Sequence, residues 1–444
     1  MLRAITSDNI DQIQNPTYRN YAQIYNNIHQ DFHHQIAAFG LPISDHSFLN
    51  VYDDKVIEMT EHGLKISNDY KSLTQGWVSP SCIACRKGVG TITFFISLNC
   101  PRNCYFCFNP NQQNYEYFLH HQNNLIEELN KLHEKGIVYK DIALTGGEPL
   151  LYKKETEAFF RHAKTLYPKA YTRLYTCGAF LDEEYLQVLK NVGLDEIRFS
   201  IKTDDSIEEQ NVILEKIRLS KAYIPHVMVE MPVMPNDLEQ MKDLLMTLDS
   251  IGFNGINLLE LCFPLNNTQE FAKRGYQIKP TQYRVLYNYW YAGGLPIAGS
   301  EENCLHLLKF AQEKQLKLGV HYCSLENKYS GQIYNQNNPF RNTYTYCIMS
   351  EKDYFLKSAK VFGQDIAPVL AFLRKSGLKN YRKDNNYNYL EFPIAYLSKF
   401  KKQLPNLEVG ICYYVVEQRD GENVLRELRV DYTTPLQHDF KMDI

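Results

Sequence analysis

The chain has 444 residues, of which 44% are hydrophobic, and its formal net charge at pH 7 is -3. This content is ordinary for a folded globular protein that buries a substantial core, and it excludes a chain that stays disordered. A net charge so close to zero argues against a surface that coats nucleic acid and against an acidic tail, so partners must be inferred from individual sites.

The N-terminal segment lacks the apolar core of a signal peptide, and no run in the sequence approaches the roughly 18 consecutive apolar residues of a membrane span. We therefore expect a cytoplasmic protein with no membrane association. In that compartment the 11 cysteines are expected to be ligands, redox groups or small buried residues rather than disulfide partners.

The predicted elements begin with an amphipathic helix over residues 17–38, where apolar residues recur at intervals of three and four. From residue 91 onward, strand-like and helix-like segments alternate. This alternation is typical of parallel strands that form a full or partial TIM-like barrel, with ligands at the carboxyl ends of the strands. The predicted strands are 91–97, 141–147, 172–178, 195–202, 226–235, 255–263 and 317–324, and the predicted helices are 153–166, 182–191, 206–220 and 237–250.

The C-terminal part of the sequence has a different pattern. It predicts a helix with Ile366 and Leu373 on one face, a second helix over 393–403, and two strands that flank an Arg-Asp-Gly-Glu turn and form a hairpin. The predicted fold class is therefore α/β. It comprises an N-terminal helical extension over 1–90 with a CxxC element, a partial (β/α) TIM-like barrel over 91–325, and a small C-terminal α+β domain over 326–444.

Three cysteines, Cys100, Cys104 and Cys107, stand together directly after the first predicted barrel strand. A short loop with this spacing can aim three sulfur atoms at one centre. A structural zinc ion would need a fourth ligand, which Cys82 and Cys85 could supply in a ribbon-like spacing. An iron–sulfur cube held by three cysteines instead leaves one iron open, and the third cysteine of the triplet favours this interpretation.

The C-x3-C-x2-C spacing, the aromatic Phe106 before the third cysteine and the sequence "LTGGEP" at 144–149 resemble the radical SAM superfamily over about residues 91–325. The resemblance implies a 4Fe–4S cluster on the three cysteines. It also implies that the open iron chelates S-adenosylmethionine, and that one electron from the cluster cleaves this cofactor to a 5′-deoxyadenosyl radical that abstracts hydrogen from a substrate. An electron donor such as flavodoxin or ferredoxin is implied as a partner.

The same resemblance implies that Phe106, Gly146, Gly147 and Glu148 bind the cofactor. Gly146 and Gly147 have no side chains to hold the backbone away from the amino group of S-adenosylmethionine. Glu148 follows this turn and is the acidic member of the motif. A glycine pair alone commonly serves only a turn. The sequence "GGEP" at the end of the strand that follows the cysteine loop is a much more specific sign of the family.

Alternation along the fourth and fifth predicted strands adds further candidates. Arg198, Ser200 and Lys202 share one face, and the resemblance implies that Ser200 and Lys202 contact the ribose and the carboxylate of the cofactor. Glu230 is expected in the lumen, either as a functional carboxylate or as the ion-pair partner of Lys202 or Arg198. Cys177 stands where the family usually has asparagine. It is either a hydrogen-atom donor or, as we prefer, a small buried residue.

The element "SPSCIACRKG" at 79–88 resembles that of a poorly characterised, mainly archaeal group related to pyruvate formate-lyase activating enzymes. Its Cys82 and Cys85 could bind a second metal with Cys323 or Cys347, or could simply pack.

The substrate stays open at this level. A protein or peptide substrate, as for activases, is favoured, and an RNA substrate is the alternative suggested by the basic, tyrosine-containing segment 374–389. The alternative of another class is a non-enzymatic zinc-binding protein that uses the barrel as a scaffold.

Overall fold

The computed structural model describes residues 2–45, 56–280, 283, 285 and 293–444. The chain divides into two compact units. The barrel unit comprises residues 39–282 and 289–329, and the sheet unit comprises residues 1–38, 283–288 and 330–444.

The strands are numbered here in chain order. They are β1 (Arg3–Ala4), β2 (Lys65–Ser67), β3 (Ser72–Gln75), β4 (Thr91–Phe95), β5 (Asp141–Thr145), β6 (Tyr171–Thr176), β7 (Glu196–Phe199), β8 (His226–Val233), β9 (Gly255–Glu260), β10 (Cys262–Phe263), β11 (Leu295–Pro296), β12 (Gly319–Cys323), β13 (Ile348–Met349), β14 (Leu356–Phe362), β15 (Arg382–Asp384), β16 (Tyr389–Phe392), β17 (Val409–Arg419) and β18 (Glu422–Thr433).

The α-helices span Pro16–Ala38, Pro80–Cys85, Tyr115–His120, Leu125–Glu134, Lys153–Leu166, Glu183–Asn191, Ile207–Ser220, Leu238–Ile251, Thr268–Lys273, Ser300–Glu313, Leu325–Asn337, Ile366–Lys375, Leu397–Phe400 and Phe440–Asp443. Short 3₁₀ helices span Ile10–Gln12, Asn109–Asn111, Pro149–Tyr152, Asn338–Phe340, Gly363–Asp365 and Ile394–Tyr396. In the described ranges, none of these helices combines the length and the apolar character that crossing a membrane requires.

The barrel unit is built on a sheet with the strand order β2-β3-β12-β9-β8-β7-β6-β5-β4. The strands from β4 to β9 pair in parallel, as do β9 and β12, whereas β3 pairs antiparallel with β12 and β2 antiparallel with β3. The predicted α/β partial barrel is therefore confirmed. Each of the seven predicted strands overlaps an observed strand, and the four predicted helices lie within one residue of their observed ends.

Local sequence signals explain where the barrel helices begin. The Asp182 side chain accepts a hydrogen bond from the backbone N–H of Tyr185, and Ser206 forms a reciprocal capping box with Glu209. These bonds satisfy N–H groups that the first helical turn leaves without partners. The apolar faces of the helices then pack on the outward residues of the strands, as Phe159 does against Phe94.

The sheet unit has the strand order β1-β18-β17-β14-β16-β15, with β13 paired to β14, and its pairings are antiparallel. The predicted C-terminal hairpin is confirmed as β17 and β18. Its turn places Asp420 (φ 49°) and Gly421 (φ 83°) in the left-handed region, which suits the twist of a two-residue hairpin. The second predicted C-terminal helix is shorter than expected, at Leu397–Phe400.

The N-terminal boundary differs from the one proposed from the sequence. The helix Pro16–Ala38 exists as predicted, but it belongs to the sheet unit, where Tyr18 stacks on Phe362 with ring centroids 4.6 Å apart. In contrast, β2 and β3 belong to the barrel sheet. Residues 1–90 therefore do not form one extension, because their apolar residues are buried in two different cores.

A fully buried lysine marks the core of the sheet unit. Lys360 on β14 forms an ion pair with Glu427, donates to the hydroxyl of Tyr21 (2.7 Å) and lies 4.0 Å from the centre of the Tyr389 ring. A buried charge of this kind is tolerated only while its partners remain in place.

We expect Lys360→Met to lower the free energy of unfolding of the sheet unit by about 3 kcal/mol, because Glu427 would stay buried without its cation. Hydrogen exchange measured by mass spectrometry should show faster exchange in β14 and β17. The matched control is Lys399→Met, at an exposed position. Equal exchange in the two variants would contradict the expectation.

Candidate metal centre

The loop that carries the three clustered cysteines begins just after β4. Cys100, Cys104 and Cys107 are all partly buried. The backbone N–H of Cys107 donates to the carbonyl of Cys104 (3.0 Å) and closes a tight turn. Backbone groups of Arg102 and Asn109 hydrogen-bond to the thiols of Cys100 and Cys107. Two of the three sulfur atoms thus contact nearby backbone groups.

The three thiols are close enough to affect one another's ionisation. Burial is the main cause that raises the pKa of Cys104 to about 11. Lys202 opposes this rise, whereas Cys107 and Cys100 add to it. Burial also raises the pKa of Cys100 and of Cys107. Thiols that resist ionisation in this way become thiolates beside a multivalent metal centre, which supplies the compensating positive charge.

The donor set fits an iron–sulfur cube better than a single ion. In the described ranges, no three His, Cys, Asp or Glu side chains converge tightly enough to hold one metal ion. A single zinc ion would demand that convergence. In a 4Fe–4S cube each cysteine binds a different iron, so the sulfur atoms stay apart by the width of the cluster. The zinc-binding scaffold considered from the sequence would need a fourth ligand beside the three cysteines.

Two cationic side chains, one on the cysteine loop and one beside it, share an acidic partner. Lys202 lies beyond the end of β7, with its Nζ 3.1 Å from Asp205 Oδ1, and Arg102 forms an ion pair with the same aspartate. The Lys202 side chain is 15% exposed and lies near enough to Cys104 to lower the pKa of its thiol. The structure therefore brings the predicted Lys202 beside the cysteine loop.

The other two predicted contact residues lie at the same end of the barrel. Ser200 directly follows β7, where its backbone N–H donates to Thr176 O (3.1 Å) and its side chain is exposed. Phe106 is partly buried and meets the Tyr105 ring edge-on, with the centroids 5.1 Å apart. Their contacts with a cofactor stay predictions.

The glycine pair lies directly against the cysteine loop. The backbone N–H of Gly147 donates to Ser97 O (3.0 Å), and Asn109 Nδ2 donates to Gly146 O (2.8 Å). A Cβ atom at Gly147 would lie 1.9 Å from Asn99 O, and Gly146 has a φ of +114°. The resemblance to a known family explains these glycines by access to a cofactor. The structure adds a requirement that comes first, because a side chain at Gly147 would displace the loop itself.

Glu148 is 1% exposed and joins the ends of two strands. Its carboxylate accepts hydrogen bonds from the backbone N–H of Leu150 (2.9 Å), from Thr176 Oγ1 (2.8 Å) and from the backbone N–H of Cys177 (2.7 Å). Burial, and then Glu148, raise the pKa of the Cys177 thiol, which therefore stays protonated at neutral pH. The predicted contact of Glu148 with the cofactor stays a prediction beside this observed structural role.

The CxxC pair lies on the short helix Pro80–Cys85, away from the three-cysteine loop. Cys82 is 6% exposed, and its sulfur accepts hydrogen bonds from Asn257 Nδ2 (3.2 Å) and Arg198 Nη2 (3.4 Å). Of the proposed partners, Cys323 has a thiol whose pKa burial raises, and it lies near enough to the pair for Cys85 and Cys82 to raise that pKa further. Cys347 is buried in the core of the sheet unit. A second metal at the pair remains a hypothesis.

A charged floor that the sequence patterns did not predict lies at the amino ends of the barrel strands. Ser79 Oγ donates to Glu196 (2.6 Å), Ser81 Oγ donates to Asp141, and Arg173 pairs with Asp141 (3.1 Å). The alternating polar residues of β6 and β7 were a usable signal, because lumen-facing positions recur at every second residue.

Comparison with known proteins agrees with this geometry. Residues 94–248 match the family described as "Radical SAM superfamily". A protein of Methanocaldococcus jannaschii, provisionally named a glycyl-radical enzyme activating enzyme, is 28% identical over 292 residues, which cover 64% of this chain and 74% of that protein.

Solved structures give distant likenesses. The S-adenosylmethionine-bound SuiB of Streptococcus suis matches with a TM-score of 0.39 at 12% identity, over 55% of this chain and 52% of that one. The chain therefore spans about half of SuiB. The methyltransferase TsrM of Kitasatospora setae, with cobalamin and a [4Fe-4S] cluster bound, matches with a TM-score of 0.31 at 16% identity, over 43% of this chain and 38% of that one.

We expect Gly147→Ala to reduce the iron bound per chain after anaerobic reconstitution with iron and sulfide. The new Cβ would overlap Asn99 O, so the cysteine loop must move. The control is Gly136→Ala, where nothing lies within 4 Å of the added atom but the φ of +71° disfavours a side chain, so it reports backbone strain without a clash in the cysteine loop. Normal iron content in Gly147→Ala would show that the loop tolerates the shift.

We further expect the double variant Cys82→Ser and Cys85→Ser to keep the iron content of the parent chain. The Cys82 sulfur already has two hydrogen-bond donors, and no three ligating side chains converge on one ion in the described ranges. Elemental analysis of the reconstituted protein provides the measurement. A loss of iron or zinc in the double variant would establish a second metal site.

Proposed function

The chain is a member of the radical SAM superfamily, and on that premise we propose that it is an activase-like enzyme that abstracts hydrogen from a protein or peptide substrate. The observation that carries the proposal is the set of three mutually interacting thiols on the loop after β4, with Lys202 beside them. Cys100, Cys104 and Cys107 would hold the 4Fe–4S cluster and leave one iron for S-adenosylmethionine.

The cluster, when bound, supplies one electron to S-adenosylmethionine and so generates the 5′-deoxyadenosyl radical that abstracts hydrogen. The protein's own residues would bind and orient the cofactor and shield it from water. The Lys202 ammonium would neutralise the carboxylate of the cofactor, and the exposed Ser200 hydroxyl is available to its ribose. Phe106 offers an aromatic edge at the same end of the barrel.

Exclusion of water is the second task of the chain, because a carbon radical must react with its substrate alone. The helix Pro80–Cys85 and the charged floor close the lumen at the amino ends of the barrel strands. Ser79, Glu196 and Arg198 form a continuous set of hydrogen bonds there. This closed end supports a substrate that enters from the carboxyl ends of the strands.

The substrate class is supported by the relative from Methanocaldococcus jannaschii, whose provisional name is that of an activating enzyme. Such a reaction also needs a one-electron reductant, for which flavodoxin or ferredoxin is our proposal. The RNA alternative has less support. In the segment 374–389, Arg382 pairs with Glu391 and stacks on Tyr346, so part of its positive charge serves the sheet unit.

We expect Cys100→Ala, Cys104→Ala and Cys107→Ala each to abolish cluster binding and S-adenosylmethionine cleavage together, because two cysteines do not hold the cube. The measurements are iron content, the charge-transfer absorption of the reconstituted protein, and 5′-deoxyadenosine formed after reduction with dithionite. Cys412→Ala is the matched control, because this buried cysteine belongs to the core of the sheet unit. Full activity in any of the three variants would refute the proposal.

A further inference from the structure

Arg198 in the barrel lumen uses all of its hydrogen-bonding capacity. Nε donates to Glu196, Nη1 to Glu230 Oε2 (2.6 Å) and to the Tyr175 hydroxyl (3.2 Å), and Nη2 to Ser79 Oγ (3.1 Å) and to Cys82 Sγ (3.4 Å). A guanidinium has five N–H groups, and each has a partner here. The orientation of the groups around Arg198 is therefore fixed.

Glu196 already balances the charge of Arg198. One of its oxygens accepts from Arg198, and the other accepts from Ser79 Oγ (2.6 Å) and from the hydroxyl of Tyr171 (2.8 Å). Arg198 thus has a counter-ion without Glu230, although Lys328 and Arg173 also lower the pKa of the Glu230 carboxyl. Burying an additional carboxylate costs free energy, so Glu230 calls for a separate explanation.

Glu230 presents one oxygen to the lumen. Its Oε2 accepts from Arg198 Nη1 and from Asn257 Nδ2 (2.7 Å), whereas Oε1 has no hydrogen-bond partner among the described residues. The side chain is 20% exposed. Burial raises the pKa of Glu230, but Arg198 and the hydrogen bond from Asn257 outweigh it and hold the pKa below its usual value. The carboxylate is ionised and can only accept hydrogen bonds.

Tyr175 supplies the complementary group. Its hydroxyl oxygen accepts from the same Nη1 atom that binds Glu230, and within the described part of the chain its O–H donates to no residue. Burial raises the pKa of Tyr175, so its proton is retained. Arg198 Nη1 therefore holds the Glu230 carboxylate, which accepts hydrogen bonds, next to the Tyr175 hydroxyl, which can donate one.

We propose that Glu230 and Tyr175 bind the backbone of a peptide substrate in the lumen, where Glu230 Oε1 accepts from a substrate N–H and the Tyr175 hydroxyl donates to a substrate carbonyl. The inference rests on the proposed function and assigns its substrate contact. An amide carries this donor and acceptor together. A nucleotide would bring its phosphate toward the ionised Glu230, which charge repulsion disfavours.

The test uses the reconstituted enzyme, dithionite and acetyl-glycyl-glycinamide deuterated at both Cα atoms. Deuterium that appears in 5′-deoxyadenosine reports abstraction from the peptide. The same assay is run with analogues in which an ester oxygen replaces one amide N–H at a time. The measured quantity is the ratio of kcat/KM between the amide and the ester forms, in which changes of cluster content cancel.

In the parent enzyme we expect one ester to react with a kcat/KM lower by about tenfold or more, since a hydrogen bond to a charged acceptor is lost. In Glu230→Met that ratio should fall close to one, and in Glu230→Gln, which keeps a neutral acceptor, it should be intermediate. Tyr175→Phe should weaken all forms alike. The control Glu184→Gln lies at an exposed helical position and should keep the parental ratio.

An amide-to-ester ratio that is the same in the parent and in Glu230→Met overturns the inference. It also falls if the parent enzyme cleaves S-adenosylmethionine but takes no deuterium from any peptide, or takes it only from a deuterated oligoribonucleotide. In those cases the radical SAM assignment stands. Absence of cleavage by the reduced parent enzyme would instead remove the proposed function, and the inference with it.

Discussion

The close approach of two backbone segments is the constraint on which the candidate metal centre depends. The segment after β5 lies against the segment after β4, where Gly147 N–H bonds to Ser97 O (3.0 Å) and Glu148 N–H bonds to Asn99 O (2.8 Å). These bonds extend the pairing of two parallel strands past their ends. Each contributes about 1 kcal/mol, but together they set the place from which the cysteine loop starts.

Glu148 couples this contact to the next strand. Its carboxylate binds Thr176 and Cys177 at the end of β6, so three neighbouring strand ends are tied into one edge. Parallel strands present their carboxyl ends together, and a site built there draws on several loops at once. Lys202 extends the same edge to β7 and places a positive charge beside sulfur atoms that would become anionic on binding the proposed cluster.

The lumen has a different organisation, because its lower end is closed and charged. Arg198 acts as the central hydrogen-bond donor, and Glu196 is its structural counter-ion. Glu230 accepts hydrogen bonds through Oε2, and its Oε1 has no partner among the described residues. The cysteine of the CxxC element that faces this network, Cys82, serves as an acceptor in it. The two cysteine motifs therefore lie in different environments, one at the strand ends and one in the interior.

Much of the fold, and the place of the cysteine loop after the first barrel strand, was predictable from the sequence, because short-range patterns determine them. The spacing of Cys100, Cys104 and Cys107, the alternation of the strands and the Asp420-Gly421 turn each depend on residues that are close along the chain. Only the tertiary structure decided that the helix Pro16–Ala38 packs in the sheet unit and that Gly147 must lack a side chain because of Asn99. It also decided that one oxygen of Glu230 has no hydrogen-bond partner within the described residues. These features arise from contacts between segments that are distant in sequence, and no local pattern carries that information.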